Sequence, residues 1–203
     1  RRSNVGQSRL LRLGYDIFTG RQPVAQALDN LQRAALEFCS DAQFVAGFDA
    51  SANWYEWHGL KYFLYEYEQY LADQLHIKDR LPWSYVETRQ KRETIEHILP
   101  QSPADSDWSE RFTPEQLARW THDIGNLCLT RFNTELSNKP FPQKVGVLGS
   151  PNGSGYINSL ILQERALAVY PEWNEAAIIE RRNKLRDWAL ERWRVQQTTF
   201  TDA

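Results

Sequence analysis

Apolar positions recur every three to four residues through 24–39, at Ala27, Leu28, Leu31, Ala34, Ala35 and Phe38, and predict an amphipathic helix. Pro23 stands at its start, where a missing N–H costs little. A longer helix is predicted over 54–77 from Trp57, Leu60, Leu64, Leu71 and Leu75. That stretch also carries Tyr55, Tyr62, Phe63, Tyr65, Tyr67 and Tyr70. Such aromatics can stack on bases, but at helical spacing they read first as core and helix packing. After Pro82 the pattern changes. Residues 83–88 are strand-like, and 94–99 alternate until Pro100 stops them.

Residues 101–107 read as a polar loop, and Thr113-Pro114-Glu115-Gln116 as an N-cap with Pro at the first helical position, opening a short helix to Trp120. Gly125-Asn126 then turns into an apolar strand over 127–130, and a helix is expected after Asn133. Residues 146–158 hold four Gly and one Pro and read as a loop. Two helices close the chain, near 159–170 and 175–195. The second has an apolar stripe through Ile178, Ile179, Leu185, Trp188, Ala189 and Trp193, and its Arg181, Arg182, Lys184 and Arg186 read as a solvated face. No repeat or heptad is present. The outline is α+β, a mostly helical domain with a small two-stranded insertion.

Composition narrows the function. With 203 residues, 41% hydrophobic and 25% charged, the chain has an ordinary globular balance and enough length for one good core. No apolar run of membrane-spanning length occurs, and no apolar segment follows Arg1-Arg2-Ser3-Asn4 to make a secretory signal, so no membrane association is expected. Met is absent even at position 1, which reads as a fragment of a longer protein. Two distant cysteines, Cys39 and Cys128, make neither a disulfide scaffold nor a CxxC zinc pair and point to a cytoplasmic location. A formal net charge of −2, with pI near 6.1, leaves no strong basic excess for gripping DNA.

The unusual residues gather in the insertion. Glu96-His97 lies at the end of a strand before Ile98-Leu99-Pro100-Gln101. Asn126 follows His97 by 29 residues and Asn133 follows Asn126 by 7. A neutral imidazole can take a proton from water near neutral pH. A carboxylate with amide oxygens suits Mg²⁺. Together these are what phosphodiester hydrolysis needs: a base for the water and a cation for the charge on phosphate and leaving oxygen. Taken singly each has a plain structural reading, Asn126 as a turn residue and Asn133 as a helix cap.

The segments Ile95-Glu96-His97-Ile98-Leu99-Pro100-Gln101 and Ile124-Gly125-Asn126-Leu127, followed by Asn133 and Leu136-Ser137-Asn138-Lys139-Pro140-Phe141, resemble the HNH-type C-terminal domain of GmrSD-like restriction endonucleases. Phosphorothioation-sensing SspE-type proteins carry a similar domain. The resemblance is strong over 93–144, weaker over 54–82 and 156–193, and does not reach 1–50. With it, the expected organisation is a single nuclease domain over 1–203: a helical part over about 1–82, a ββα-metal (His-Me finger) core over about 83–145, and C-terminal helices over about 156–197.

By motif position, the resemblance implies that His97 is the general base and Glu96 a metal ligand. Asn126 braces the loop and helps orient the histidine, and Asn133 completes the hold on the metal, with Asn138 the alternative. Arg131, Lys139 and Lys144 become candidates for phosphate contact. The expected cofactor is a divalent metal, Mg²⁺ with Mn²⁺ able to substitute. The expected substrate is double-stranded DNA, cut or nicked in restriction of phage genomes. The expected partner is an N-terminal ParB-like NTPase module in the whole protein. The alternative is a catalytically inactive nucleic-acid or partner-binding module of a larger defence protein.

Overall fold

The computed structural model describes residues 5–103, 106–131, 136–150, 153 and 155–195. They form a helix-dominated architecture with one antiparallel pair of strands. The chain divides into two compact units, one of residues 51–187 and one of 1–50 with 188–203, where the sequence reading treats 1–203 as one domain.

The smaller unit holds α1 (Val5–Phe18), α2 (Val24–Phe38) and α3 (Asp41–Ala50). The predicted 24–39 helix is α2; α1 and α3 lie where the hydrophobic pattern predicts no element. Arg9 on α1 pairs with Glu37 on α2 at 2.8 Å, both exposed, so this bridge contributes little. Trp188 and Trp193 meet edge to face at 5.2 Å.

The larger unit begins with a correction. The helix predicted over 54–77 is α4, Leu60–Gln74, and 54–59 form turns instead. The Trp54 N–H donates to the carbonyl of His122 at 2.9 Å and ties this turn to the segment before β2. Residues 83–88, expected as a strand, form the one-turn helix α5 (Trp83–Glu87). Helical spacing puts Trp83 and Val86 on one face. Trp83 packs against Tyr62 and Tyr65 of α4, and Val86 is buried. Of the aromatics of 54–70, Trp54 and Phe63 are buried in the core, while Trp57, Tyr62 and Tyr70 stay exposed.

A capping box between Gln90 and Glu93 opens α6 (Lys91–Thr94), which runs into β1 (Ile95–His97). The strand is thus shorter than 94–99. It pairs with β2 (Leu127–Leu129) in the register Ile95↔Leu129, Glu96↔Cys128, His97↔Leu127. All six positions are buried, so both faces of the sheet are covered. Between the strands come α7 (Ser106–Arg111), in place of the end of a predicted loop, and α8 (Pro114–Trp120), opened by Thr113 as predicted. A 3-10 turn over Ile124–Asn126 leads into β2. Of the helix expected after Asn133, residues 132–135 lie outside the described residues and Leu136 is helical. Then follow α9 (Phe141–Val145), α10 (Leu162–Leu167) and α11 (Glu175–Arg192).

Trp108, Phe141, Tyr156 and Trp173 are fully buried against Ile98, Leu99 and Cys128 around the strand pair. Three polar devices tie helices to this core. Glu68 of α4 accepts the N–H groups of Leu162 (2.6 Å) and Gln163 (3.0 Å), which open α10 and have no partner inside it. Glu164 accepts the Ser159 hydroxyl, and its burial pushes its pKa up to about 7. Arg181 of α11, 5% exposed, donates to the carbonyls of Ile124, Gly125 and Leu127. Arg182, also buried, reaches Asp123 at 3.4 Å. The basic face expected to be solvated is therefore half structural. Gly125 permits the approach: a Cβ there would lie 2.3 Å from the carbonyl oxygen of Ile178.

Candidate active site

Strand alternation places Glu96 and His97 on opposite faces of β1. Glu96 is 1% exposed, and its Oε1 accepts from Lys144 Nζ at 2.6 Å and from the Tyr156 hydroxyl at 3.0 Å. The Lys144 ammonium donates again, at 2.9 Å, to the backbone carbonyl of His97. Burial pushes Glu96 up from the ordinary carboxylate range and Lys144 down from the ordinary lysine range. Their mutual attraction opposes both shifts. The pair lies beneath the strand, and Glu96 also borders the cleft beside His97.

On the other face, His97 meets aromatic and polar side chains. Its Nε2 lies 3.1 Å from Nδ1 of His122, and its Nδ1 lies 3.0 Å from the Gln101 amide nitrogen. The Tyr55 ring lies 4.6 Å from the His97 ring and stacks at 5.8 Å on His122. Lys91 donates to the Tyr55 carbonyl at 2.6 Å and fixes that segment. A cleft of about 140 Å³ is lined by Glu96, His97, Pro100, Gln101, Ser137 and Asn138. Burial first, then the proximity of His122 and Lys144, which disfavours a positive charge on the ring, lowers the His97 pKa to about 3, so the imidazole is neutral at physiological pH. Ser137 on the cleft wall is held at φ +39, a region few non-glycine residues adopt.

Asn126 is fully buried and spends its whole hydrogen-bonding capacity. Its Oδ1 accepts from the Leu99 N–H (2.7 Å) and the Trp173 indole (3.0 Å); its Nδ2 donates to the carbonyls of Leu99 and Thr121, both at 2.9 Å. It therefore braces two segments at once, the one after His97 and the one before His122. No contact to the His97 ring is among its bonds. Asn133 lies outside the described residues.

The chain matches the family described as GmrSD restriction endonucleases, C-terminal domain, over residues 40–188. It belongs to that family. No curated protein and no solved structure matches it. The matched span takes in the whole 51–187 unit and with it every residue just described, so the site sits in a domain of restriction-endonuclease kind.

Within this GmrSD-type domain the expected phosphate contacts separate. Lys144 is a correction. Its side chain is 0% exposed on Glu96, because α9 packs it under β1, and it does not face solvent. Lys139 and Asn138 are exposed. Arg131, just past β2, lies 4.9 Å over the Tyr85 ring with its Nε buried and without a hydrogen-bond partner. It borders a separate cavity of about 290 Å³ that Arg80 and Arg165 also line.

His122 was not among the residues singled out from the sequence, and Tyr55 was named there only among the aromatics of 54–77. The chain has four His; one of them four positions before Asn126 was the available signal. Among the described residues no three His, Cys, Asp or Glu side chains converge as a metal cage. Mg²⁺ needs less, one or two carboxylates with water and substrate phosphate completing its shell. The cleft's carboxylate, hydroxyl and amide fit such an ion in kind, with the Lys144 ammonium sharing the carboxylate.

Proposed function

We propose that the domain is a divalent-metal-dependent endonuclease of HNH (His-Me finger) type that cuts or nicks double-stranded DNA, acting in restriction of phage genomes. The observation that carries this is a neutral imidazole with one ring nitrogen beside Gln101 in a cleft that Glu96, Ser137 and Asn138 also line. His97 takes the proton of the attacking water. A substrate phosphate brings negative charge beside it, which favours the protonated ring and couples proton uptake to substrate binding.

Glu96 and Asn138, with Asn133 from outside the described residues, would hold the cation. When bound, it offsets the charge that grows on the phosphate and leaving oxygen. Asn126 keeps the two histidine segments in register, and Arg131 and Lys139 contact flanking phosphates. The slightly acidic balance of the chain fits a nuclease whose grip comes from another module, an N-terminal ParB-like NTPase in the whole protein.

The test is supercoiled-plasmid cleavage by the wild-type chain and by His97→Ala, each with Mg²⁺, Mn²⁺ or EDTA. Nicked or linear product requiring both metal and His97 is expected, with the variant's thermal melting within a few degrees of wild type. Cleavage by a folded His97→Ala chain at the wild-type rate refutes the assignment. Salt-dependent DNA binding without product under any metal supports the inactive binding module instead.

A further inference from the structure

A histidine that accepts a proton from water must offer a lone pair at the ring nitrogen that meets the water. Neutral imidazole has one lone pair and one N–H, so the neighbours of the two nitrogens decide which carries which. The Gln101 amide nitrogen faces His97 Nδ1 at 3.0 Å. An amide nitrogen only donates, so the lone pair is on Nδ1 and the proton on Nε2. The group that faces Nε2 is His122 Nδ1, at 3.1 Å.

We infer that His122 is the positioning residue of the site: its Nδ1 accepts the Nε2–H of His97 and so holds the Nδ1 lone pair toward the cleft. This rests on His97 being the base. The two rings are inclined at 80°, and Tyr55 contacts both. Backbone bonds keep His122 from turning away. Its carbonyl accepts the Trp54 N–H at 2.9 Å, the carbonyl of the preceding Thr121 accepts from Asn126 at 2.9 Å, and the Thr121 hydroxyl donates to Leu117 at 2.7 Å. The turn over 54–59 that displaces the start of α4 is what brings Trp54 and Tyr55 to this segment.

Gln101 is exposed and lies on a loop. Its amide N–H stands where the O–H of the attacking water has to stand, and it swings aside at little cost. In the step itself the water oxygen bonds to phosphorus, its proton passes to His97 Nδ1, and the P–O bond to the departing strand end breaks. That oxygen is then protonated from solvent. The imidazolium formed on His97 keeps its Nε2–H on His122, whose acceptance strengthens as the donor becomes charged.

The experiment uses the 203-residue chain with His122→Leu, which removes the acceptor, and His122→Asn, whose side-chain Oδ1 takes the place of the imidazole Nδ1. Plasmid cleavage gives kcat and KM, and ¹⁵N imidazole NMR gives the His97 tautomer, assigned by loss of its signals in His97→Ala. In the wild type, His97 is expected as the Nε2–H tautomer. His122→Leu should mix the tautomers and lower kcat about 100-fold or more with KM little changed, while His122→Asn should restore kcat to within about 10-fold. An Nδ1–H tautomer in the wild type, or wild-type kcat in His122→Leu, overturns the inference. If the wild-type chain cleaves nothing, the nuclease reading fails, and the NMR arm still decides whether His122 sets the tautomer. Should His122→Leu not fold, the wild-type tautomer and the Asn variant decide it.

Discussion

Lys144→Met tests the buried floor of the site. The substitution keeps an unbranched chain of similar length and removes the ammonium from a pair 2.6 Å apart, with side chains 0% and 2% exposed. It also removes the donor to the His97 carbonyl and leaves Glu96 with the Tyr156 hydroxyl. Breaking a buried pair by deleting one partner costs about 3–5 kcal/mol, most of it for the charge left behind. For a chain of this size that corresponds to a fall in Tm of about 6–20 °C. Burial already pushes the Glu96 carboxyl up. Without Lys144 nothing as strong opposes that shift, and Glu96 folds as the neutral acid.

The loss should therefore be larger at pH 8, where neutralising Glu96 requires uptake of a proton, than at pH 5, where the proton is readily supplied. The assay is thermal unfolding followed by circular dichroism at both pH values, for Lys144→Met, Glu96→Gln and the double variant. The double variant should regain much of the single-variant loss, because no uncompensated charge remains. A Lys144→Met chain melting within 2 °C of wild type at pH 8, the ~2 °C being under about 1 kcal/mol, would refute a charged, buried pair.

Two further outcomes are expected. The folded-state pKa of Glu164 stands at about 7, above the ordinary 4.5, so the folded protein binds the extra proton. Stability attached to this carboxyl is full below about pH 4.5 and is lost as pH rises through 7, on the order of 3 kcal/mol at most. Glu164→Gln should therefore gain in Tm relative to wild type between pH 5 and pH 8, and a pH-independent difference counts against the raised pKa. Gly125→Ala forces a Cβ to 2.3 Å from the Ile178 carbonyl oxygen. It should lower stability by about 1–3 kcal/mol, read as a Tm drop of several degrees, and an unchanged Tm would mean that α11 does not pack there.

Most of what was legible in the sequence is local. The helix over 24–39 and the Thr113–Gln116 start of α8 were readable because a helix records its buried face every three to four residues and its cap within four. The start of α4 and the strand expected at 83–88 were misread for the same reason inverted. Aromatic residues record no single period at 54–59 and 83–88; the contact with His122 made the first a turn, and packing on α4 made the second a helix.

The segments 95–101 and 124–127, followed by Asn133 and 136–141, were enough to indicate the restriction-endonuclease family, because short contiguous motifs survive in a linear reading. What the tertiary structure alone decided is the company these residues keep. Lys144, 48 positions from Glu96, reads as a phosphate contact in one dimension and is a buried counter-ion in three. His122, 25 positions from His97, carries no motif and stands at its ring nitrogen. Arg181 reads as solvated surface and is spent on three backbone carbonyls. Periodicity records which face of an element is apolar. It does not record which polar group will lie opposite across the core, and that pairing is settled only when distant segments pack and most buried donors find an acceptor.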